Sequence, residues 1–394
     1  MRSVLKVTVV HMQVLLMAML PAAPIFGQDT IKFETVKSVK DIPHKTLKQK
    51  WMWIHRSVAF AFMKERLPYW NQEFYSSYKG KLVLTLPVST RFLNFEVRDG
   101  LTANFLRFQP NSKYDLGISI NSRFASFLLN SGVSLFDNDQ GTKGKTSYQD
   151  YQFNLYGKKT TIDLALQTYQ GFYIENSRKY ETFQKTNTQA YQVRPDVNVF
   201  ALSFNYYYIF NYKRFSYRSS FAFTEYQKKS AGSLLCGGYF SVLGVRADSN
   251  LISNTFVPYF DSASSIKKGE VANVGINIGY IYTLVLRQKI HMTLSLVQGL
   301  GHDNTNITRE DGSKYELAAR FSSKQNLRIA LGYDSGRFFY GTMGLFDFYY
   351  FDAKKGSTFN YSSGKFRIFV GYRFSVEKQE KRFLRKLNLI DYRL

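Results

Sequence analysis

The sequence predicts an all-β chain: an antiparallel transmembrane β-barrel of about 12 strands, with about 10 or 14 as the neighbouring even counts. A short, partly helical N-terminal extension precedes it and a basic C-terminal tail follows. Three observations lead there. From about Gly80 onward, segments of roughly ten residues alternate apolar and polar, as strands do between lipid and a polar lumen. The apolar faces carry Phe, Tyr, Leu and Ile, while the opposite faces mix Gly, Ser, Asn, Asp and Arg. A soluble sandwich would instead show a free face rich in Lys and Glu. Aromatics are 17% of the 394 residues against an ordinary 44% hydrophobic content, which suits interfacial girdles on short strands.

Taken in chain order, residues 1–27 have the layout of a secretory signal peptide. Arg2 and Lys6 precede the apolar stretch 7–20, and small residues and proline lead to an expected cleavage near Gly27 and Gln28. Cys236 is the only cysteine, which excludes an intrachain disulfide, a multi-cysteine zinc site and a lipoprotein anchor after the signal. A formal net charge of +24 commonly marks a nucleic-acid partner. Here the basic residues are spread along strand-like segments, and an exported protein meets anionic lipid, glycan or solute instead. No later run of about eighteen apolar residues exists, so a helical membrane protein is excluded.

Residues 28–78 form the extension. The stretch 45–66 is helix-like and stopped by Pro68, with Trp51, Ile54, Val58 and Phe62 on one face. It reads either as a plug or interfacial helix at the barrel mouth, or as a linker helix packed on its own barrel.

The barrel is expected over residues 79–374. In "YDLGISINSRF", Tyr114, Leu116, Ile118, Ile120 and Phe124 alternate with Asp115, Gly117, Ser119, Asn121 and Arg123. "DYQFNLY" and "TIDLALQ" set Asp150 and Asp163 behind similar apolar faces. The alternation continues through 200–206 and again through Phe215, Tyr217, Phe221 and Phe223, opposed by Arg218, Ser220, Ala222 and Thr224. It returns at 274–282 and 327–333. "KFRIFVGYRF" closes the series, with Phe366, Ile368, Val370, Tyr372 and Phe374 on one face and Arg367, Phe369, Gly371 and Arg373 on the other. Short turns are expected near 158–159, 211–213, 287–289 and 334–337, and long loops at 172–194, 247–270 and 301–316. A further turn at 228–232 would set two long loops on opposite sides, so the parity does not close. Residues 375–394 form the tail, with Phe383, Leu384, Leu387 and Ile390 on one side of a basic amphipathic segment.

Alternation points Asp115, Arg123, Asp150, Asp163, Arg218, Arg328, Asp334, Arg367 and Arg373 into the lumen. Paired charges of this kind fill a narrow interior, whereas an arginine excess favours anions in an open passage. Gln227, Lys228, Lys229, Ser230, Gly232 and Ser233 form a candidate phosphate or sugar site at a rim or in the lumen. The same residues also suit a turn among lipid head groups. "LGHDNTN" offers His302 and Asp303 at an expected strand end as a rim catalytic pair, but no partner serine can be placed, so a polar loop histidine is the plainer reading. His291 reads as a girdle or lumen residue. No nucleophile elbow, zinc-protease helix or phosphate loop occurs, and 137–145 lacks the acidic end of a calcium loop. No catalytic residue, metal or cofactor is therefore expected. Gly371, Tyr372 and Phe374 form the candidate barrel insertion signal.

Several stretches carry a resemblance: "QPNSKYDLGIS", "YQGFYIEN", "RPDVNVFALSFNYYYIFNYKRFSYRSSF", the distinctive "EYQKKSAGSLL" and the closing "GYRF". From about Leu101 to Phe374 the chain resembles a family of uncharacterised outer-membrane β-barrels of Gram-negative bacteria, catalogued as a domain of unknown function. The resemblance implies a barrel in the outer membrane and no assigned activity. The expected partners are outer-membrane lipid, lipopolysaccharide and the barrel insertion machinery, not nucleic acid. The expected role is structural, binding or passage. A lipid- or glycan-modifying barrel enzyme with a rim histidine and a narrow anion-favouring channel are the alternatives.

Overall fold

The computed structural model describes residues 71–78, 80–111, 114–121, 125–134, 139–261, 265–351 and 358–376. The expected signal peptide, the helix-like stretch 45–66, Arg123 and the tail beyond Val376 lie outside these residues. The strands, in order, are β1 (Tyr75–Ser77), β2 (Lys81–Arg98), β3 (Phe105–Gln109), β4 (Tyr114–Asn121) and β5 (Ala125–Ser134). Then come β6 (Ser147–Tyr156), β7 (Thr160–Ile174), β8 (Gln192–Ile209), β9 (Glu225–Gln227) and β10 (Ala231–Arg246). The series ends with β11 (Lys268–Leu286), β12 (Ile290–Thr308), β13 (Lys314–Asp334), β14 (Phe338–Phe351) and β15 (Thr358–Ser375).

The two-residue period of the sequence is the period of the wall. In β4, Tyr114, Leu116, Ile118 and Ile120 are exposed on the outside, while Asp115, Ser119 and Asn121 are buried inside. In β11, Val274, Ile276, Ile278, Tyr280 and Tyr282 face out and Asn273, Asn277 and Thr283 face in. An apolar exterior on a closed wall is stable only against lipid, because the backbone pairs within the ring and only side chains meet the surroundings.

β2 and β15 pair along their length, Lys81 opposite Ser375 and Arg98 opposite Thr358. That pairing closes β2, β3, β7, β8 and β10 to β15 into a ten-stranded antiparallel ring. The wall also forks. β3 bridges residues 95–98 of β2 and 173–174 of β7 at one level. At another level, β4, β5 and β6 lead from residues 83–90 of β2 to 161–170 of β7. The fork sits at Pro110, which has no N–H for a ladder. There the Asn111 backbone N–H donates to Thr146 Oγ1 at 2.8 Å, and its side-chain amide donates to the Gly144 carbonyl at 2.9 Å.

The start of β2 and the end of β15 share one end of the barrel, called here the terminal end. Its connections include the short turns 157–159, 287–289 and 335–337, and the long segment 210–230. The far end carries 175–191 and 247–267. Two expectations fail. Residues 215–224 are not a wall strand: Tyr217–Phe221 is a helix with all five residues buried, Ser216 capping it by accepting from the Ser219 N–H at 3.1 Å. Residues 211–213 open this segment instead of turning between neighbouring strands. With that strand removed, the long far-end loops fall on one side. Nor is 301–316 a long loop. β12 and β13 run on to Thr308 and from Lys314, leaving only 309–313 between them.

The lipid-facing assignment is testable at Ile276, which is 71% exposed. Ile276→Arg is expected to lower folding stability in bilayers by about 2–4 kcal/mol, as for a cation at the midplane. Glu270→Arg, near the far end of the same face, is expected to change it far less in urea unfolding followed by gel mobility.

Candidate functional site: the filled lumen

The inward residues of β15 cross the interior like a ruler: Arg373 at the terminal end, then Phe369, Arg367, Lys365, Tyr361 and Phe359. Each level meets a different chemistry. At the terminal end, Arg373 makes a bidentate pair with Asp334 at 2.7 and 2.9 Å. Its Nε donates to the Phe223 carbonyl at 3.0 Å, and its guanidinium lies 3.9 Å from the Tyr78 ring centroid. Tyr78 also donates its hydroxyl to Asp334 at 3.1 Å. One buried ion pair thus ties together the wall, residues leading into β2, and the inserted segment.

The inserted segment is a plug. Its helix, Tyr217–Phe221, sits among wall residues Tyr156, Tyr207, Val297, Ala330 and Met343. Phe223 stacks on Phe339 at 4.8 Å and meets Phe369 at 5.0 Å and His291 at 5.5 Å. It does so at φ 57, a left-handed conformation costly for a bulky side chain and held by these contacts. Within the plug, Arg218 pairs with Glu225 at 3.1 Å and donates to the Tyr156 carbonyl at 2.8 Å. Ser216 Oγ donates to the same Glu225 at 2.5 Å. β9 then pairs with β1, so the described start of the chain is stitched to the plug.

Above the plug lies a belt of ion pairs. Arg328 meets Asp163 at 2.8 Å and donates to the Tyr217 hydroxyl at 2.5 Å, joining wall to plug. Arg91 lies between Asp150 at 2.8 Å and Asp115 at 3.4 Å, and Tyr148 donates to Asp115. Lys365 approaches Asp150 at 3.9 Å. Lys324 lies 3.7 Å from Asp347 and donates to Asn205, between the rings of Tyr239 and Tyr349. Arg91, Asp115, Asp150, Lys324 and Lys365 are shut off from bulk water, and burial of that kind persists only when charges are paired.

Toward the far end the interior turns apolar again. Phe95, Phe108, Phe172, Val199, Leu243, Val271 and Phe359 from the wall enclose Tyr180, Phe183, Leu251 and Phe256 from the two long far-end loops. Phe95 and Phe108 stack at 4.5 Å. Arg194 fastens one loop by donating to the Asn250 and Leu251 carbonyls, each at 2.9 Å, while paired with Asp196.

The charged residues expected in the lumen therefore divide. Asp115, Asp150, Asp163, Arg328, Asp334, Arg367 and Arg373 are inward wall residues, whereas Arg218 belongs to the plug. Arg91, Lys324, Lys365 and Asp347, missed in the sequence reading, also face inward; the alternation of their own strands carried that signal. Tyr207 is buried inside, between its neighbours Tyr206 and Tyr208. His302 does not open a loop. It lies within β12 and faces outward, while the next residue, Asp303, is buried and paired with Arg320 at 3.0 Å. Neighbouring strand residues point to opposite faces, so the structure does not bring the two together. His291 is buried against the plug.

The lysine-rich run is also split. Gln227 is buried, its side chain accepting from the Ser216 N–H and donating to the Arg214 carbonyl. Lys228 donates to the Gln72 carbonyl at 2.9 Å and Lys229 pairs with Glu73. Ser230 accepts from the Val285 N–H, and Ser233 from the Asn211 N–H. Gly232 sits in β10 against the Tyr280 and Tyr282 rings. These residues secure the plug's return to the wall. Around them the terminal rim is basic: Lys159, Lys213, Arg214, Lys229, Arg287, Lys289 and Arg337 are exposed there. Gly371 faces inward and Phe374 outward on the closing strand.

Residues 72–374 match a family described as a domain of unknown function, DUF4421. The chain belongs to the DUF4421 family. No curated protein matches the sequence. Among solved structures, the outer-membrane protease OmpT of Escherichia coli is similar at 9% identity and a TM-score of 0.34, over 75% of this chain and 96% of that one. The β domain of the Bordetella autotransporter Brka gives 8%, 0.32, 74% and 99%. The transport unit of the Escherichia coli autotransporter AIDA-I gives 9%, 0.31, 83% and 98%.

If the terminal ion pair holds the DUF4421 plug, breaking one side leaves a buried charge behind. Asp334→Asn is expected to cost about 3–5 kcal/mol in detergent-solubilised protein unfolded by urea, and Asp334→Leu with Arg373→Met clearly less.

Proposed function

We propose that this protein is an outer-membrane β-barrel that works as a closed structural or binding element of the cell envelope, without enzymatic activity and without an open passage. The observation that carries this reading is the three-layered interior, with apolar packing at both ends and paired charges between. Such a lumen offers no continuous wet path, which takes support away from the narrow anion channel. The opposed directions of His302 and Asp303 do the same for the rim-histidine enzyme.

In this reading the bilayer is crossed by twelve strands. The descending β3–β4 chain enters the count once, through β4, and β5 and β6 widen the wall at the level where Ile118 and Ile120 face out. Above the fork the ring narrows to ten. The terminal end faces the periplasm, consistent with its mostly short turns, and the long loops face outward. Outer-membrane lipid and lipopolysaccharide are the immediate partners. The basic terminal rim, close to the outward rings of Phe338, Tyr340 and Phe374, suits the anionic head groups of the inner leaflet. The outward Tyr372 and Phe374 suit recognition by the insertion machinery.

Planar-bilayer recording tests the closed lumen. The purified protein is expected to be electrically silent. Replacing residues 213–229 by a short Gly-Ser linker removes only the terminal layer, and the far-end packing is expected to keep that variant silent as well. Steady ohmic conductance from the intact protein would overturn the reading.

A further inference from the structure

Of the inward cations on β15, Lys365 has Asp150 and Arg373 has Asp334, but Arg367 between them is different. Among the described residues no carboxylate pairs with it. Its Nη2 meets the Met343 sulfur at 2.8 Å, and its Nε is covered without an acceptor. Arg91, Arg218, Arg320 and Arg328 all have acidic partners. Arg367 is half-buried, and a guanidinium cannot shed its proton, so its charge is balanced by an anion or by water.

The space beside Arg367 suits an anion. A small cavity there is bounded by Thr85, Ser119 and Asn121 of the wall and closed by Phe221 and Phe223 of the plug. Ser119 donates to Asn121 Oδ1 at 3.0 Å, and Asn121 Nδ2 donates to Thr85 Oγ1 at 3.3 Å. That chain of donors leaves the Thr85 hydroxyl proton for an acceptor in the cavity. The centre has room for about one water-sized particle, the scale of a monatomic ion. The adjoining sequence, Ser122, Arg123, Phe124 and all of β5, contains no acidic residue to fill the role.

We propose that Arg367, with the Thr85 hydroxyl, binds a small inorganic anion of halide size at the boundary between barrel wall and plug. The anion neutralises a stretch of that boundary where the wall brings a positive charge and the plug brings only phenyl rings. Its binding is therefore coupled to retention of the plug, and the inference rests on the closed-lumen reading to that extent.

Bromide is the probe. Crystals of the intact protein grown in sodium bromide are expected to show an anomalous peak within hydrogen-bond reach of the Arg367 guanidinium. In detergent, the heat-induced gel shift is expected at a higher temperature in bromide than in gluconate of equal ionic strength. Arg367→Met, which removes the charge at similar volume, is expected to fold and to lose that difference. A water in place of the peak, or an equal bromide effect in Arg367→Met, overturns the proposal. Should that variant not fold, the anomalous peak alone decides. Conductance reports separately on whether the lumen is closed, so the two readings can fail independently.

Discussion

The seam between β2 and β15 is the constraint on which the remaining structure depends. Two strands from opposite ends of the described chain pair from Lys81–Ser375 to Arg98–Thr358, and without that pairing the sheet has two raw edges in hydrocarbon. Closure has a price inside. Once the ring is shut, every inward side chain shares a confined space with its opposites across the barrel. Polar groups placed there must satisfy one another. The ion-pair belt is thus a consequence of closure, and Arg91 between Asp150 and Asp115 is its clearest instance.

The fork at Pro110 shows how the ring is widened without breaking. The chain that descends from β3 loses one ladder donor at the proline and sidesteps, the next backbone N–H taken up by Thr146 and the Asn111 side-chain amide by the Gly144 carbonyl. Below that point β5 and β6 fit between β4 and β7. The added girth makes room for a plug that enters from the terminal end. Arg373, Asp334 and Tyr78 then lock plug, wall and the described N-terminal residues in one contact set. Movement of any one of the three disturbs the other two.

The wall strands were legible because lipid on one side and a crowded lumen on the other impose a strict period of two. Tyr114 to Asn121 and Phe366 to Phe374 could be assigned face by face from that period alone. The plug was misread for the same reason. Phe215, Tyr217, Phe221 and Phe223 keep the apolar period of a strand, yet they lie in a segment buried on every side. Its polar residues are not lumen-facing wall positions; Glu225 meets Arg218 and Ser216 within the segment, while the Tyr156 carbonyl and Thr283 of the wall meet Arg218 and Ser220. Loop length misled at 301–316 as well, since strands that rise past the lipid become polar outside and look like loops. His302 was placed at a loop on that account.

By itself the sequence determined the class of the fold, the outward faces of its strands and part of the charge they carry inward. Those follow from local alternation, which needs no knowledge of the far side of the barrel. The tertiary structure alone decided that the lumen is filled, that residues 210–230 fill it from the terminal end, and which charge meets which. Pairings such as Arg328 with Asp163, or Arg373 with Asp334, join strands far apart in sequence, and only closure of the ring brings them within reach. The same closure leaves Arg367 facing phenyl rings across a small cavity, a mismatch that no single strand reveals.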